Sequence, residues 1–174
     1  MALVAAGRVE VGTSGGQVRI RVSGRANHLI SQPLREFAMR MVREGCRDFR
    51  VELRDCLTID STFAGVLAGL SLKLKELAGS VTLVRVPPRC AELLATLGID
   101  GLFGWGADVP GRESDTSKLA TLPSSARSKE AWASTILEAH RLLASADPAN
   151  AGGYEDVVEV LKADAANRPD RLRN

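Results

Sequence analysis

The apolar residues between positions 49 and 86 change their period twice. Phe49, Val51 and Leu53 alternate with polar residues, which is the period of a strand with one buried face. The following apolar residues recur three or four positions apart, as on the buried face of a helix: Phe63, Val66, Leu67, Leu70, Leu74 and Leu77. The stretch 80–86 is β-branched and short, and it predicts another strand. A strand, a helix and a strand in succession predict a right-handed crossover connection within one sheet.

The flanking segments extend this pattern on both sides. Alternating valines and isoleucine at 9–11 and 18–22, separated by Thr13–Gly16, predict a β-hairpin. We expect a turn at Gly24–Asn27, then a helix whose apolar face includes Leu34 and Phe37. Pro88 is suited to the first turn of a further helix. The order ββαβαβα predicts an α/β fold, with a mixed central sheet of about four or five strands and helices packed against it.

The C-terminal third has a looser pattern. We expect residues 1–108 to form the core domain and residues 109–127, rich in Pro, Gly, Ser and Thr, to form a loop. Residues 128–146 then predict a helix that packs on the core, and residues 147–174 predict a short helical extension with a frayed end. The apolar stripes of these helices are suited either to covering an exposed sheet edge or to forming a homodimer.

The composition excludes several classes of protein. The chain has 174 residues, 45% apolar and 25% charged, which is typical of one globular domain. A net charge of +2 does not favour a nucleic-acid partner. No apolar run approaches the about 18 residues of a membrane span, so we expect no membrane insertion. Three cysteines without CxxC spacing indicate free thiols, and with no signal-peptide pattern they predict a cytoplasmic protein.

Candidate catalytic patterns are weak. Gly12–Gly16 matches G-x-S-x-G, but it lies between two short alternating strands rather than between a buried strand and a helix, so a hairpin turn is the better interpretation. A Ser–His–acid arrangement that used Ser61 would need His28 or His140 within hydrogen-bond reach of that serine. His140 falls near an apolar helical stripe, which favours a packed histidine. No residues have metal-ligand or phosphate-loop spacing, so we expect no metal, no cofactor and no enzymatic activity.

The junction Ile59-Asp60-Ser61-Thr62 joins the central strand to its helix. Asp and Ser are common N-caps, contributing about 1 kcal/mol each, so a purely structural role explains them on local chemistry alone. A serine here also lies beside the unpaired N–H groups of the helix, where a phosphoryl group can be added and recognised by a partner. Both interpretations remain open at this point.

The segment Val51–Leu67 resembles the signature of STAS domains, the fold of bacterial anti-sigma-factor antagonists. The positions that match the family pattern are Asp60, Ser61, Thr62, Gly65, Val66 and Leu67. Residues 87–103 are similar to the family's third helix and the turn after it, and Gly24–Asn27 fits the turn after its second strand. The resemblance covers residues 8–105. Phe63 stands where many members carry Gly.

The resemblance implies a phospho-regulated binding module. Such a module binds a serine kinase that is also an anti-sigma factor, is released when the serine corresponding to Ser61 is phosphorylated, and is reset by a serine phosphatase. The implied phosphorylation site is Ser61, with Thr62 as the weaker alternative. The implied contact surface contains Asp60, Ser61, Thr62, Phe63, Gly24 and Asn27. Two rivals are a structural STAS subunit of a transport or signalling assembly and, more distantly, an enzyme with Ser61 as nucleophile.

Overall fold

A computed structural model describes residues 5–107, 118–124, 129–147 and 149 of the chain. The strands are β1 (Arg8–Ser14), β2 (Gln17–Ala26), β3 (Asp48–Ile59), β4 (Ser80–Val84), β5 (Gly104–Gly106) and β6 (Ala120–Thr121). The helices are α1 (His28–Arg43), α2 (Ser61–Glu76), α3 (Pro88–Thr96) and α4 (Lys129–Ala146). The described part of the chain therefore contains the predicted ββαβαβα order, followed by two short strands and one further helix.

The strands form one mixed sheet. Its order is β5-β4-β3-β2-β1-β6, which gives six strands among the residues that the structure describes, against the four or five predicted. β1 pairs antiparallel with β2 and with β6, whereas β2, β3, β4 and β5 are parallel to one another. Helices α1 and α2 provide the crossovers from β2 to β3 and from β3 to β4. The predicted α/β class with a mixed central sheet and packed helices is confirmed.

The core lies between the sheet and the helices. Val18, Phe49, Val51 and Leu53 alternate with partly exposed residues along β2 and β3 and are fully buried. Leu67, Leu70 and Leu74 of α2 pack into the same cluster, at the spacing that the sequence predicted. Leu143 of α4 is also fully buried there. The C-terminal helix is thus part of the core packing.

The observed strand and loop boundaries differ from two sequence predictions. The turn expected at Gly24–Asn27 is wrong, because β2 continues to Ala26 and Gly24 has a φ of +71° next to a register shift in the β2–β3 pairing. Gly24 therefore permits a bulge within a strand. Residues 109–127 are not a loop throughout, because β6 lies within them and pairs with β1. Two residues are too few to show a strand period.

The remaining predictions concern single features. The three cysteines are free thiols, as expected. Within the described ranges no helix is long and apolar enough to cross a membrane. Among the same residues there is no group of three or more His, Cys, Asp or Glu that could hold a metal ion. The extension predicted beyond α4 lies outside the described residues, apart from Asp147 and Ala149.

Candidate functional site

The site lies where two parallel strands end and two helices begin. β2 and β3 end side by side, with Ala26 opposite Ile59, and the Asp60 N–H donates to the Ala26 carbonyl over 2.9 Å. Because each strand is followed at once by a helix, the caps Asn27 and Asp60 lie next to each other. The Asn27 side chain accepts a hydrogen bond from the Leu29 N–H over 3.1 Å. The start of α1 and the start of α2 therefore share one edge of the sheet.

The Asp60 carboxylate connects these two helix starts. Its Oδ1 accepts from the Phe63 N–H over 2.8 Å, which is the N-cap hydrogen bond of α2. Its Oδ2 accepts from the His28 N–H over 2.9 Å, and the His28 ring nitrogen Nδ1 lies 3.8 Å from the same oxygen. Two backbone donors that neither helix can satisfy internally are thus bound by one side chain. The capping role considered from the sequence is present in Asp60.

Ser61 is the first residue of α2 and is half-buried. Its Oγ lies 3.0 Å from Nε2 of His140, on α4. His140 is 7% exposed, so the expectation of a packed histidine is confirmed. Burial lowers the pKa of His140, and the negative charge of Asp60 opposes that shift. At neutral pH the imidazole is therefore neutral, and it makes a neutral hydrogen bond with the serine hydroxyl.

Three of the predicted site residues are buried: Thr62, Phe63 and Gly24. Thr62 is 5% exposed and Phe63 is 0% exposed, and both belong to the buried side of α2. Phe63 is in the core, so the expectation that it contributes to an exposed contact surface is wrong. Gly24 is buried against the backbone carbonyls of Ala5 and Ala6. Asp60, Ser61 and Asn27 are the members of the predicted surface that retain exposure.

Two exposed residues at this edge were not predicted from the sequence. Leu29 and Leu57 are 46% and 55% exposed, beside the first turn of α1 and near the end of β3. Large apolar side chains this exposed are common at sites of protein contact. His140 was considered from the sequence, with His28, as the histidine that a Ser61 arrangement would need, and the structure places it 3.0 Å from the Ser61 hydroxyl. The sequence did not mark Leu57 as exposed, because it continues the alternation of Phe49, Val51 and Leu53. The buried positions of β3 change phase after Leu53, to Cys56 and Ile59, where the register of the β2–β3 pairing shifts. The sequence also does not decide whether His28 or His140 lies next to Ser61.

Comparisons with known proteins agree with this fold. The sequence matches the family described as "Mlab, STAS domain" over residues 9–104. No curated protein sequence matches the chain. Among solved structures, the anti-sigma factor antagonist SpoIIAA in its unphosphorylated form superposes with a TM-score of 0.53 at 18% identity, covering 64% of this chain and 96% of that one.

Two further structures have the same fold. SpoIIAA of Bacillus in its phosphorylated form gives a TM-score of 0.51 at 18% identity, covering 65% of this chain and 100% of that one. TM1081 of Thermotoga maritima gives a TM-score of 0.53 at 14% identity, covering 62% and 86%. These likenesses concern the fold, and the family match spans more than half of the sequence. The chain belongs to the STAS-domain family, and its β3–α2 junction carries the Asp60-Ser61 pair.

Proposed function

We propose that this protein is a phospho-regulated binding module, an anti-sigma-factor antagonist of the partner-switching type. It binds a bacterial serine kinase that also restrains a sigma factor, and it is released when that kinase phosphorylates Ser61. A serine phosphatase restores the binding form. The observation that supports this most strongly is the position of Ser61, a half-buried serine on the first turn of α2 in a STAS domain.

The electrostatics of the junction fit a switch. A phosphoryl group adds a charge of about −1.5 to −2 at neutral pH. The N-terminus of α2 favours an anion by about 0.3–1 kcal/mol, so the isolated domain tolerates the modification. A docked partner would have to bury that dianion beside the Asp60 carboxylate, which costs several kcal/mol if it is left unpaired. A loss of about 4 kcal/mol is a thousandfold loss of affinity.

The contact surface that we propose differs from the sequence prediction. It comprises Asp60, Ser61, Asn27 and the exposed apolar residues Leu29 and Leu57. Leu29 and Leu57 supply the apolar contact area, and the Ser61 hydroxyl supplies the point at which charge is introduced. Ser61 is favoured over Thr62 as the acceptor, because the Thr62 side chain is buried.

The test uses purified candidate kinases with variants of Ser61. Each candidate is incubated with the protein, and complex formation is measured by size-exclusion chromatography. We expect Ser61→Ala to retain binding and Ser61→Asp to weaken it. Incubation with ATP and Mg²⁺ is expected to add one phosphoryl group at Ser61, located by peptide mass spectrometry, and to dissociate the complex. Equal binding by both variants, or modification elsewhere, would contradict the proposal.

A second candidate is a structural STAS subunit that docks through the same edge without phosphorylation. The contact that favours it is the hydrogen bond between Ser61 and His140, which engages the hydroxyl within the domain. Stable binding to a partner, with no phosphoryl group on Ser61 after incubation with kinase and ATP, would select this candidate.

The STAS fold is typically a non-enzymatic binding module, and we propose that this chain acts as one. The Ser61–His140 distance of 3.0 Å does meet the first condition for a serine nucleophile. A fluorophosphonate probe tests this directly, because it labels activated serines. We expect no labelling of Ser61, whereas labelling that is lost in His140→Ala would indicate an enzyme.

A further inference from the structure

One stripe of α2 is lined by small residues. Ser61, Gly65 and Gly69 follow each other at intervals of four, which places them on the same side of the helix. The stripe begins at the proposed phosphorylation site and runs along the helix away from it. Any protein that docked on Ser61 and continued along α2 would lie on these glycines.

Helix α4 already occupies this stripe. A Cβ added at Gly65 would lie 2.5 Å from the Ala139 carbonyl oxygen and 2.6 Å from the Ala139 Cβ. A Cβ added at Gly69 would lie 2.6 Å from Cδ1 of Leu142. An added Cβ at either glycine would thus lie closer to α4 than normal van der Waals contact allows. The two helices therefore pack directly against each other, with backbone against backbone at Gly65.

The same helix contacts the hydroxyl itself. His140 follows Ala139 and makes the 3.0 Å hydrogen bond with Ser61. Adjacent α4 residues therefore cover both Ser61 and the stripe next to it. An ion pair between Arg35 of α1 and Glu138 also holds α4 against the helix layer.

The hydrogen bonds of the sheet do not involve α4. Every strand pairing in the described residues lies between Arg8 and Thr121. The contacts of α4 are made mainly with α2 and α1. The helix can therefore leave its place without breaking the hydrogen bonds that define the fold, at the cost of exposing its buried residues, such as Leu143.

We propose that α4 covers the Ser61 hydroxyl and the small-residue stripe of α2 next to it, so that access of a kinase to that hydroxyl requires displacement of α4. The inference rests on the proposed function for the identity of the partner, but the covering of Ser61 can be tested without one. Docking of α4 and docking of the partner then exclude each other, and the apparent affinity for the partner is reduced by the fraction of molecules in which α4 is docked.

The extent to which α4 covers position 61 is measured by alkylation of a cysteine introduced there in place of Ser61. Ser61→Cys is introduced into the full chain, and iodoacetamide labelling of each cysteine is followed by peptide mass spectrometry. The native cysteines act as references. Cys46 is partly exposed and lies before β3, at the other end of that strand from position 61. Cys56 and Cys90 are buried and become labelled when the whole domain unfolds.

Two α4 substitutions in this background separate the outcomes. Ala139→Leu places a larger side chain against Gly65 and prevents α4 from seating. Ser134→Leu adds the same residue at an exposed position of the same helix and serves as the matched control. We expect Ala139→Leu to raise the labelling rate at position 61 at least tenfold, while Cys46 is unchanged and Cys56 and Cys90 stay protected. Ser134→Leu is expected to leave all rates unchanged.

Equal labelling at position 61 in all variants, with Cys56 and Cys90 protected, would overturn the inference and leave the proposed function standing. If Ala139→Leu exposes Cys56 and Cys90, the domain depends on α4, and the proposed displacement is overturned. A second experiment measures partner binding with Ser61 intact, and it uses whichever candidate kinase forms a complex in size-exclusion chromatography. Ala139→Leu is expected to bind it at least tenfold more tightly than Ser134→Leu does, and equal affinities would show that α4 does not compete with it.

Discussion

Asp60 joins the starts of two helices through one carboxylate. It caps α2 through the Phe63 N–H, binds the His28 N–H at the start of α1, and lies in the chain directly before Ser61. An aspartate that served only as a cap would need one of these contacts. The arrangement therefore links the position of the serine to the position of both helix starts.

We expect Asp60→Ala to lower the free energy of unfolding by about 2 kcal/mol, since it removes a cap worth about 1 kcal/mol and leaves a second backbone donor without its acceptor. Urea unfolding followed by circular dichroism measures the change. Asp55→Ala, at an exposed position of β3, is the control and is expected to change little. A loss in Asp60→Ala no larger than in the control would contradict the capping role.

The imidazole of His140 makes the packing of α4 depend on pH. Its pKa in the folded protein is lower than the ordinary value of about 6.5 that it has in the unfolded chain. Between these two values the unfolded chain binds the proton more readily, so stability falls as the pH falls. Asp60 is the charged group that acts on the imidazole, and its charge reduces this effect without reversing it.

We therefore expect the urea midpoint to fall as the pH is lowered from about 7.5 to about 5.5, through the ordinary histidine pKa. In His140→Gln this part of the pH dependence should be lost, because glutamine keeps a hydrogen-bonding group but does not titrate in this range. His28→Gln, at the more exposed histidine, should retain it. Identical pH profiles for the protein and His140→Gln would refute the assignment.

The exposure of Leu57 leads to a prediction about partner affinity, with no expected change in stability. Leu57→Ser removes apolar area from the proposed contact surface, where the side chain is 55% exposed and contributes little to the core. We expect weaker binding of the kinase by about tenfold, which corresponds to about 1.4 kcal/mol, with an unchanged urea midpoint. Leu77→Ser, at an exposed leucine beyond the other end of α2, is the control. Equal affinities for the two variants would remove Leu57 from the surface.

At the scale of elements, the contact between α2 and α4 depends on the absence of side chains at two positions. Gly65 faces backbone atoms of Ala139, which cannot move aside, whereas Gly69 faces the flexible end of the Leu142 side chain. The two glycines therefore differ in what a methyl group would cost. In an exposed helix either substitution to alanine would instead stabilise by about 1 kcal/mol.

We expect Gly65→Ala to destabilise the protein, because overpacking costs about 1–3 kcal/mol and exceeds the gain in helix propensity. Gly69→Ala is its matched control and is expected to be neutral or slightly stabilising, since Leu142 can change rotamer. Urea unfolding of the two variants gives the comparison. If the two variants are equally stable, the close approach of α4 to Gly65 is not present in solution.

The elements themselves were largely predictable, since their apolar periods are local. Phe49, Val51 and Leu53 showed the strand, and Leu67, Leu70 and Leu74 showed the helix that packs on it. The partner of α4 was not predictable. Its apolar stripe was equally suited to a sheet edge or a dimer, and the choice of the α2 stripe depends on packing between residues far apart in sequence. Gly24 was misread for a related reason, because a glycine among polar residues marks a turn and a bulge equally well.

At the scale of the whole molecule, the helices differ in how firmly they are attached to the hydrogen-bonded sheet. The central strands β2 and β3 are paired on both sides, and they carry fully buried residues such as Val18 and Val51. Helices α1 and α2 are crossovers between strands and are fixed at both ends. Helix α4 is not a crossover between parallel strands, and its attachment depends on side-chain packing against other helices. Local opening is expected where fewer buried contacts must be broken.

Native-state hydrogen exchange should therefore resolve two levels of protection. We expect the amides of α4 to open at a lower free energy than those of β2 and β3, which should exchange only by global unfolding. Added denaturant should speed exchange in β3 strongly and in α4 weakly, because opening α4 exposes less surface. Amides of α1, in the same helix layer but fixed at both ends, are the control and should follow the sheet. If α4 exchanges with the same free energy and denaturant dependence as β3, it cannot leave Ser61 while the rest of the molecule stays folded.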